Sequence, residues 1–471
     1  MAAGFVGRTR ELADLTWLLD QVRHPTSDRP GRAVAIRGRR RVGKSRLITE
    51  FIKRGKVPSF YFVAEGGRVE IERQRFIDNI ALSDLPKAGD WPPTSAPGSW
   101  SDTLAQLTPF IPQDKPSIIV LDEVSYLTGD SDGFEGALQA VWDRHWSALP
   151  VLLVLIGSNR SEMERLTSHG RPFYGRAVDT EIKPLLPEDI VQLVKLPAAE
   201  ALDAYLITGG IPSLVTTWQP GQSVADYLAG NLKTSLSPLI VTGERVLTSE
   251  YPIEVQAKQV LRSIGSDAKT FTAIGQHAKI DQPTTLTRSL DQLVERGIVA
   301  TDEPLSTSTT RLKSYRVADP FMRFWLAFLP DAAQFIDAGR GDVVTARVRK
   351  GWTSWRGRAI EPIIRELLWR RALDDDRIPE ARRVGSWWNR NGTVEVDLVG
   401  ADRTAPAHTV AFLGSIKWRE TQKFDNHDAA ALAATRIAVP GANDATTLLA
   451  VSRTGGAASG VTVLTPNDII A

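Results

Sequence analysis

The chain has 471 residues, 42% of them hydrophobic, and a formal net charge of +2 at neutral pH. That length allows about three domains with their own cores, and the near-neutral charge favours no particular class of partner. The absence of cysteine excludes disulfides, thiolate zinc sites and cysteine nucleophiles. With no signal-peptide pattern and no apolar run long enough to span a bilayer, we expect a cytoplasmic protein without a membrane anchor.

Apolar runs alternate with helical patterns through the first 185 residues, the predicted core domain. This alternation predicts a parallel sheet with helices on both faces, and therefore an α/β fold. The segment between Pro86 and Ser101 is rich in proline, glycine and serine and is expected to be a surface loop. The predicted strands are Ala33–Ile36, Phe60–Ala64, Ser117–Leu121, Val151–Ile156 and Thr180–Ile182.

Residues 38–45 match the phosphate-binding loop G-x-x-x-x-G-K-[ST], between a predicted strand and a helical pattern. In such a loop the backbone N–H groups and the helix N-terminus attract phosphate. Lys44 would reach the terminal phosphates, and the Ser45 hydroxyl would ligate Mg²⁺. We therefore predict ATP and Mg²⁺ as ligands, and we expect the loop arginines to be mainly solvated. The predicted nucleotide-binding residues are Gly38, Arg39, Arg40, Arg41, Val42, Gly43, Lys44, Ser45 and Arg46.

A second motif follows the predicted strand that begins at Ser117, where four apolar residues lead into two carboxylates. Asp122 would hold the Mg²⁺ shell, and Glu123 would polarise the attacking water as general base or orienter. The strand that begins at Val151 leads into Gly-Ser-Asn. Asn159 or Ser158 is expected to bond the same water or the γ-phosphate, with a plain strand-ending turn as the alternative.

These motifs, together with Phe-Val-Gly-Arg-Thr-Arg-Glu-Leu at residues 5–12, resemble the AAA-like, signal-transduction class of P-loop ATPases often called archaeal-type ATPases. The resemblance implies that Val6, Gly7 and Arg8 lie by the adenine. It also implies that Arg176, in a Tyr-Gly-Arg turn, neutralises charge during phosphoryl transfer. A salt-bridged surface arginine is the alternative for that position.

The second half of the chain is predicted to contain a helical lid (186–245), a winged helix (246–318) and a helical connector (319–352). By the same resemblance, Pro212 in a Gly-Gly-Ile-Pro turn would touch the adenine. The predicted elements of the winged helix are the helices Val255–Ser266, Thr270–Ala278 and Thr284–Arg296 and the strands Ile298–Thr301 and Leu312–Val317. The third helix has the position that enters a DNA major groove, but its carboxylates Asp291 and Glu295 would face phosphates poorly, so a packing role stays open.

Residues 315–418, which begin with the signature Tyr-Arg-Val-Ala-Asp-Pro-Phe-Met-Arg-Phe-Trp, resemble the DUF234 domain that follows these ATPases. That domain is similar to PD-(D/E)xK nucleases, and residues 353–471 are expected to form the nuclease-like domain. Strands are predicted at Val394–Val399, Thr409–Leu413 and Thr446–Val451. The resemblance implies a nuclease-like site of Glu361, Asp397 and Lys417, but Ser415 stands where the family has glutamate. Because serine is a poor ligand for hard cations, Mg²⁺ binding would be weakened unless Glu395 substitutes for the missing carboxylate.

The sequence therefore predicts an ATP-binding and ATP-hydrolysing switch or remodeller that acts on nucleic acid, with a degenerate or weakly active nuclease-like module. The alternative is a nucleotide-gated signalling or transcription-regulatory protein without nuclease activity. DNA is a candidate partner, and self-association is compatible with the motifs. Arginines and two tryptophans between residues 365 and 390 suit a nucleic-acid backbone, although Asp374–Asp376 dilutes their charge.

Overall fold

The computed structural model describes residues 5–90, 94–128, 133–247 and 255–470. The chain divides into two compact units, Met1–Leu185 and Leu186–Ala471. The first unit ends where we expected the core domain to end. Residues 91–93 of the expected surface loop and residues 248–254 of the expected winged helix lie outside the described residues.

Within its described residues, the first unit contains a parallel sheet of order β2-β3-β4-β1-β5. The strands are β1 (Arg32–Arg37), β2 (Ser59–Val63), β3 (Ser117–Asp122), β4 (Val151–Gly157) and β5 (Val178–Glu181). The helices are α1 (Thr9–Arg23), α2 (Lys44–Gly55), α3 (Val69–Ala81), α4 (Trp100–Ala105), α5 (Phe134–Arg144) and α6 (Arg160–Leu166). The strand positions differ from the predicted ones by at most two residues at either end.

The core of the first unit lies on both faces of this sheet. On β3, Ile118 and Val120 pack with α1 and α2, whereas Ile119 and Leu121 pack with the aromatic cluster around Phe76. Successive side chains of a strand point to opposite faces, so a central strand buried on both faces reads as one continuous apolar run. This is why the sequence could predict β3 and β4. The α/β fold class is confirmed.

The second unit begins with helices alone: α7 (Pro187–Val194), α8 (Ala198–Thr208), α9 (Pro212–Val215), α10 (Val224–Asn231) and α11 (Pro238–Arg245). The next segment contains α12 (Val255–Ile264), β6 (Lys269–Thr270), α13 (Phe271–Ala278), α14 (Pro283–Glu295), β7 (Val299–Asp302) and β8 (Ser314–Val317). Within residues 255–317, all of them described, the strands pair antiparallel in the order β6-β8-β7. The short strand β6 was not predicted.

Three helices follow, α15 (Pro320–Phe328), α16 (Ala332–Asp337) and α17 (Gly341–Ala359), and then α18 (Glu361–Arg371). The expected boundary at residue 352 therefore falls inside α17, because this helix continues past the predicted connector. The last elements are β9 (Arg383–Trp388), β10 (Glu395–Ala401), β11 (Val410–Lys417), α19 (Asn426–Ala434), β12 (Thr447–Ser452), β13 (Thr462–Leu464) and α20 (Pro466–Ile470).

The C-terminal strands form a mixed sheet of order β13-β12-β11-β10-β9 in the described part of the chain. The pairs from β9 to β11 are antiparallel, and those from β11 to β13 are parallel. Neither β9 nor β13 was predicted. Strand β9 begins with an exposed arginine and ends in two tryptophans, and this composition had suggested a nucleic-acid surface rather than a strand.

A buried ionic cluster joins α8 to the C-terminal sheet. The Asp203 carboxylate, 3% exposed, accepts hydrogen bonds from Arg356 Nη1 at 2.8 Å, Arg453 Nη2 at 3.0 Å and Trp418 Nε1 at 3.0 Å. Arg356 and Arg453 also pair with Glu420. Since a buried charge is tolerated only when it is paired and hydrogen-bonded, these residues depend on each other. Among the described residues, no helix is both long and apolar enough to cross a bilayer.

Candidate active site

The loop between β1 and α2 has a backbone that requires glycine at two positions. Gly38 has φ +158°, and a Cβ atom there would lie 2.5 Å from the Ile182 carbonyl oxygen. Gly43 has φ +94° and directly precedes α2. Glycine adopts such conformations at little cost, and here it lets the loop wrap in front of the helix N-terminus.

Lys44, the first residue of α2, is 6% exposed and points back into the loop. Its Nζ atom donates to the carbonyl oxygens of Gly38 at 2.7 Å and Arg39 at 3.1 Å. An ammonium group has three donors, and carbonyl oxygens can be exchanged for phosphate oxygens that carry charge. The loop thus holds a buried cation at the place where the motif predicts phosphate.

Asp122, at the end of β3, is 3% exposed and is fixed by three donors. Its Oδ2 atom accepts from Ser45 Oγ and from Tyr61 Oη, each at 2.7 Å, and its Oδ1 atom accepts from the Glu123 backbone N–H at 2.8 Å. A hydroxyl and a carboxylate side by side next to a phosphate loop are the hard oxygen groups that Mg²⁺ takes. Ser45 and Asp122 therefore fit the predicted ion.

The sequence analysis missed Tyr61. Burial, and then the adjacent Asp122 carboxylate, raises the pKa of Tyr61 far above its ordinary value, so the phenol remains a donor. The residue lies on β2, where it pairs with Val120 of β3. The available signal was a single hydroxyl in the otherwise apolar run Phe-Tyr-Phe-Val, on the strand next to the one that ends in Asp122.

Glu123 follows β3 in the left-handed conformation, with φ +54°. Its Oε2 atom accepts from Ser158 Oγ at 2.8 Å and from the Ser158 backbone N–H at 3.2 Å. Asn159 instead caps α6, where its Oδ1 atom accepts from Ser161 Oγ at 2.9 Å. Of the two alternatives at the end of β4, Ser158 is the one that contacts the candidate base. The role expected for Asn159 stays a prediction.

The loop arginines differ from one another. Arg40 is exposed, yet it donates from Nη2 to Tyr126 Oη at 3.0 Å and from Nε to Ser158 Oγ at 3.4 Å. It therefore contacts residues that follow β3 and β4 while its side chain remains exposed to solvent. Arg41 and Arg46 are exposed and Arg39 is partly buried. Whether any of them contacts the nucleotide stays a prediction.

The segment before α1 contacts the phosphate loop through Arg8. This residue has φ +61°, is 5% exposed, and donates from Nη2 to the Val42 carbonyl at 2.9 Å and from Nη1 to Glu11 at 2.7 Å. Arg8 thereby ties the N-terminal segment to the loop. Val6 and Gly7 directly precede it, and their contact with the adenine stays a prediction.

Arg176 forms a bidentate ion pair with Asp143, in which Nε donates to Oδ1 at 2.9 Å and Nη2 donates to Oδ2 at 2.7 Å. Its Nη1 atom donates to the Pro172 carbonyl. The hydrogen bonds to Asp143 raise the pKa of Arg176, and the same bonds lower the pKa of Asp143. This is the arrangement of the salt-bridged alternative. The catalytic role stays a prediction, as does the adenine contact of Pro212, which begins α9 in the second unit.

The C-terminal sheet has an acidic cluster of its own, around Asp397 on β10. Its Oδ2 atom accepts from the Ile416 backbone N–H at 2.8 Å and from Ser415 Oγ at 3.1 Å. Arg365 donates to the Asp397 carbonyl at 2.8 Å and to Glu361 Oε2 at 2.9 Å. The structure therefore brings together Glu361, Asp397 and Ser415.

Two carboxyl groups of the acidic cluster have pKa values above the ordinary value of a glutamate. The pKa of Glu361 is raised to about 7, chiefly by burial; Arg365 opposes the shift, and Asp397 and Glu395 add to it. Burial, followed by Asp397, also raises the pKa of Glu395. Among the described residues, no group of three or more histidine, cysteine, aspartate or glutamate residues is arranged to hold a metal ion. The residues at this site therefore do not fit the cation that the nuclease resemblance implies.

Lys417 ends β11. Burial opposes a fall in the pKa of Asp428, but the hydrogen bond and charge of Arg419, and then the charge of Lys417, lower it below its ordinary value. The expected action of Lys417 on a nuclease water stays a prediction. Several arginines of the 365–390 stretch pair with carboxylates: Arg365 with Glu361, Arg370 with Glu366, and Arg377 with Asp375 and Asp468.

A parallel sheet of this order, a glycine loop before α2 and a carboxylate pair after β3 define a P-loop nucleoside-triphosphate-binding domain. Residues 30–191 match the family model described as an AAA domain, and residues 325–429 match DUF234, described as archaea bacterial proteins of unknown function. The chain thus carries an AAA-type P-loop ATPase domain followed by a DUF234 domain. This family assignment implies nucleotide binding. No curated protein matches the chain.

Several solved structures are similar at low identity. The Walker-type ATPase PABY2304 of Pyrococcus abyssi is 19% identical, with 68% of this chain and 96% of that chain covered and a TM-score of 0.47. Cdc6p from Pyrobaculum aerophilum is 16% identical, with 74% and 97% covered and a TM-score of 0.34. The Aeropyrum pernix ORC1 protein in complex with DNA is 15% identical, with 73% and 94% covered and a TM-score of 0.34. These scores are too low to transfer any property to this chain.

Proposed function

We propose that the chain binds ATP with Mg²⁺ and hydrolyses it. The observation that carries this proposal is the convergence of a buried lysine, a hydroxyl and two carboxylates at one edge of the first sheet. Lys44 already points into the loop, Ser45 bonds to Asp122, and Glu123 follows directly. The position of these four groups supports a role for them in phosphoryl transfer to water.

The proposed roles follow from the donors and acceptors of each group. Lys44 would exchange loop carbonyls for phosphate oxygens and stabilise their charge. Ser45 and Asp122 would hold the ion, which neutralises phosphate charge when it is bound. Glu123 has one carboxylate oxygen bonded to Ser158, and within the described residues its Oε1 atom has no hydrogen bond. That oxygen is available to accept a proton from a water molecule.

The test is steady-state ATP hydrolysis by wild type and Glu123→Gln, with Glu70→Gln as the matched control at an exposed glutamate of the same unit. Glu123→Gln should retain nucleotide binding and lower kcat by about 10²- to 10⁴-fold, because general-base catalysis contributes that much. Glu70→Gln should match wild type. Hydrolysis by Glu123→Gln at the wild-type rate would show that this assignment of the base is wrong.

We further propose that hydrolysis drives a switch or remodeller that acts on nucleic acid. Support comes from the segment 255–317, whose three helices and small antiparallel sheet have the element order of a winged helix. The signalling alternative, a nucleotide-gated protein that does not act on nucleic acid, predicts an ATPase rate indifferent to DNA. Measuring the rate with and without duplex DNA separates it from the proposed function, with stimulation expected. The transcription-regulatory alternative would also bind DNA.

The nuclease-like module is proposed to be degenerate. Ser415 donates a hydrogen bond to Asp397, at the position where the nuclease pattern has a second carboxylate. The pKa values of the nearby Glu361 and Glu395 are raised, which makes these groups poorer metal ligands. Purified protein should therefore nick supercoiled DNA weakly or not at all in Mg²⁺. Robust cleavage that survives Asp397→Ala would contradict this assignment of the site.

Action of Arg176 on a neighbouring subunit would require it to leave Asp143. If it acts in that way, mixing Arg176→Ala with Lys44→Ala protein should restore hydrolysis, because each supplies what the other lacks. A rate independent of protein concentration, with no rescue, would assign Arg176 to the ion pair with Asp143 alone.

A further inference from the structure

The second unit contains a basic groove between α12, β6 and α13, here called the α12–α13 groove. Its volume is about 550 Å³. The lining residues are all polar, and among those described none is acidic: Lys258, Gln259, Arg262, Ser263, Lys269 and His277. Two lysines and an arginine therefore line one concave surface.

The groove is held in shape by the segment's own hydrogen bonds. Gln259 Nε2 donates to the Ala278 carbonyl at 2.7 Å, which ties α12 to α13. Lys269 Nζ donates to the Ser263 carbonyl at 2.7 Å, so the ammonium group is fixed at the end of α12. The Lys269 ammonium group uses one of its three donors in this bond, so two donors remain for a ligand in the groove.

Lys258 and Arg262 are four residues apart on α12 and share one helix face. Like charges at this spacing destabilise a helix, so the pair is unfavourable without an anion. The opposite face of α12 explains why the helix forms nonetheless, because Val260, Leu261 and Ile264 are fully buried there. Within the described residues, neither Lys258 nor Arg262 forms an ion pair.

Other basic surfaces of the second unit are neutralised to a greater degree. On α14, the helix in the DNA-reading position, Arg288 is accompanied by the exposed carboxylates Asp291 and Glu295. In the C-terminal stretch, Arg370 and Arg377 pair with carboxylates. An anion approaching α14 would meet repulsion, whereas one approaching the α12–α13 groove would meet attraction from three cations.

We propose that the α12–α13 groove binds the phosphate groups of a nucleic-acid strand. The proposal rests on the nucleic-acid part of the proposed function and adds the surface that carries the contact. Among the described residues, no phenylalanine, tyrosine or tryptophan lines the groove, and the His277 ring is the only surface it offers for base stacking. Phosphate contacts carry no sequence information, and binding through this groove is therefore independent of sequence.

The experiment measures binding of a fluorescein-labelled DNA duplex to the full-length chain by anisotropy, over a range of NaCl concentrations. The test variant is Lys258→Ala with Arg262→Ala. The matched control is Arg349→Ala with Lys350→Ala, which removes the same two charge types from exposed positions on α17. Thermal melting of all three proteins checks that each is folded.

The test variant should bind about tenfold more weakly, and its slope of log K against log salt should be shallower by about two. The loss should be equal for two duplexes of unrelated sequence, and the control variant should match wild type. Displacement of DNA by millimolar sodium phosphate, but not by NaCl of equal ionic strength, would identify free phosphate as the occupant and overturn the proposal.

Two further outcomes overturn it in distinguishable ways. If wild type binds DNA and the test variant retains its salt slope, or if both variants lose affinity equally, the groove assignment is wrong while the proposed function stands. If wild type does not bind DNA at all, the nucleic-acid part of the proposed function fails together with the groove. The proposed ATPase activity is tested by a separate measurement, and neither result of the DNA-binding experiment bears on it.

Discussion

Each of the two units carries an aspartate on the strand next to the edge of its five-stranded sheet, and the neighbours of the two carboxylates differ. In the first unit, Asp122 accepts from two hydroxyls and a backbone N–H, with the buried Lys44 in the loop nearby. In the second unit, Asp397 shares its surroundings with Glu361 and Glu395, whose pKa values burial raises. The hydroxyls and the cation of the first arrangement suit an ion and phosphates. In the second arrangement, the raised pKa values favour the neutral form of the two glutamates, which lessens their repulsion of Asp397.

The comparison teaches that a carboxylate on a strand of the sheet does not define a metal site by itself. What matters is whether the adjacent strands and loops supply neutral oxygens and cations or more carboxylates. Serine plays opposite roles in the two places. Ser45 adds a hard oxygen at the mouth of a phosphate loop, whereas Ser415 removes the carboxylate that a second ligand would require.

The largest effect is expected from Lys44→Ala. Removing the buried cation should weaken binding of a fluorescent ATP analogue by about 10²-fold or more, because charged hydrogen bonds to phosphate contribute about 3 kcal/mol. Lys53→Ala, at an exposed lysine of the same helix, is the matched control and should bind as wild type does. An affinity of Lys44→Ala within twofold of wild type would contradict the site.

The next effect concerns the acidic cluster. The pKa of Glu361 is raised from 4.5 to about 7 in the folded protein, so the unfolded chain ionises first. Wild-type stability should therefore fall as pH rises from about 4.5 to 7 and level off above, by up to about 3 kcal/mol. Glu361→Gln lacks this loss, and its stability relative to wild type should grow across the same pH window.

Urea unfolding of the two proteins at pH 4.5 and pH 8 measures this difference. Glu380→Gln, at an exposed glutamate of the same unit, is the control and should follow wild type at both pH values. A stability difference between Glu361→Gln and wild type that is equal at the two pH values would show that Glu361 titrates as an ordinary exposed glutamate.

Ser415→Glu should make the surroundings of Asp397 more like those of Asp122, because it restores a second hard oxygen ligand. The new carboxylate adds repulsion beside Asp397, so the variant should melt below wild type in EDTA and recover with Mg²⁺. Nicking of supercoiled DNA should rise by about tenfold over wild type, since a second hard ligand is restored. Asp397→Ala added to it should abolish the gain, and Ser415→Gln should give neither effect.

The smallest effect is expected at Tyr61. Tyr61→Phe removes one of three donors to Asp122, which is worth about 1 kcal/mol and should raise the Mg²⁺ concentration for half-maximal nucleotide binding by about fivefold. Nucleotide binding in EDTA should not change. Tyr174→Phe, at an exposed tyrosine of the same unit, is the control, and an unchanged Mg²⁺ dependence in Tyr61→Phe would assign the phenol to packing alone.

The sequence could predict those parts of the site that are local in the chain. Lys44 and Ser45 belong to one loop, and Asp122 and Glu123 end one apolar run, so spacing alone identified them. Tyr61 could not be found in this way, because its bond to Asp122 joins residues 61 positions apart and exists only once β2 pairs with β3. The bond from Ser158 to Glu123 likewise depends on β3 lying beside β4.

In the fold, too, local features were predicted from the sequence, whereas features that depend on strand pairing were not. Buried central strands such as β3 and β4 are continuous apolar runs and were predicted, whereas β9 begins with charged and small residues and was not. Strand β9 is defined by its pairing with β10, and pairing is a tertiary property. The cluster around Asp203 was missed for the same reason, since its partners come from three distant parts of the sequence.

That cluster bears on whether the C-terminal part can be separated from the rest of the chain. A fragment starting at the DUF234 match, residue 325, would keep Arg356 and Arg453 but lose Asp203. Breaking a buried ion pair by removing one partner costs about 3–5 kcal/mol, a large share of a domain's total stability. The boundary of sequence similarity is therefore not a boundary of autonomous folding, and α8 would have to accompany the C-terminal sheet in any transplant to another protein.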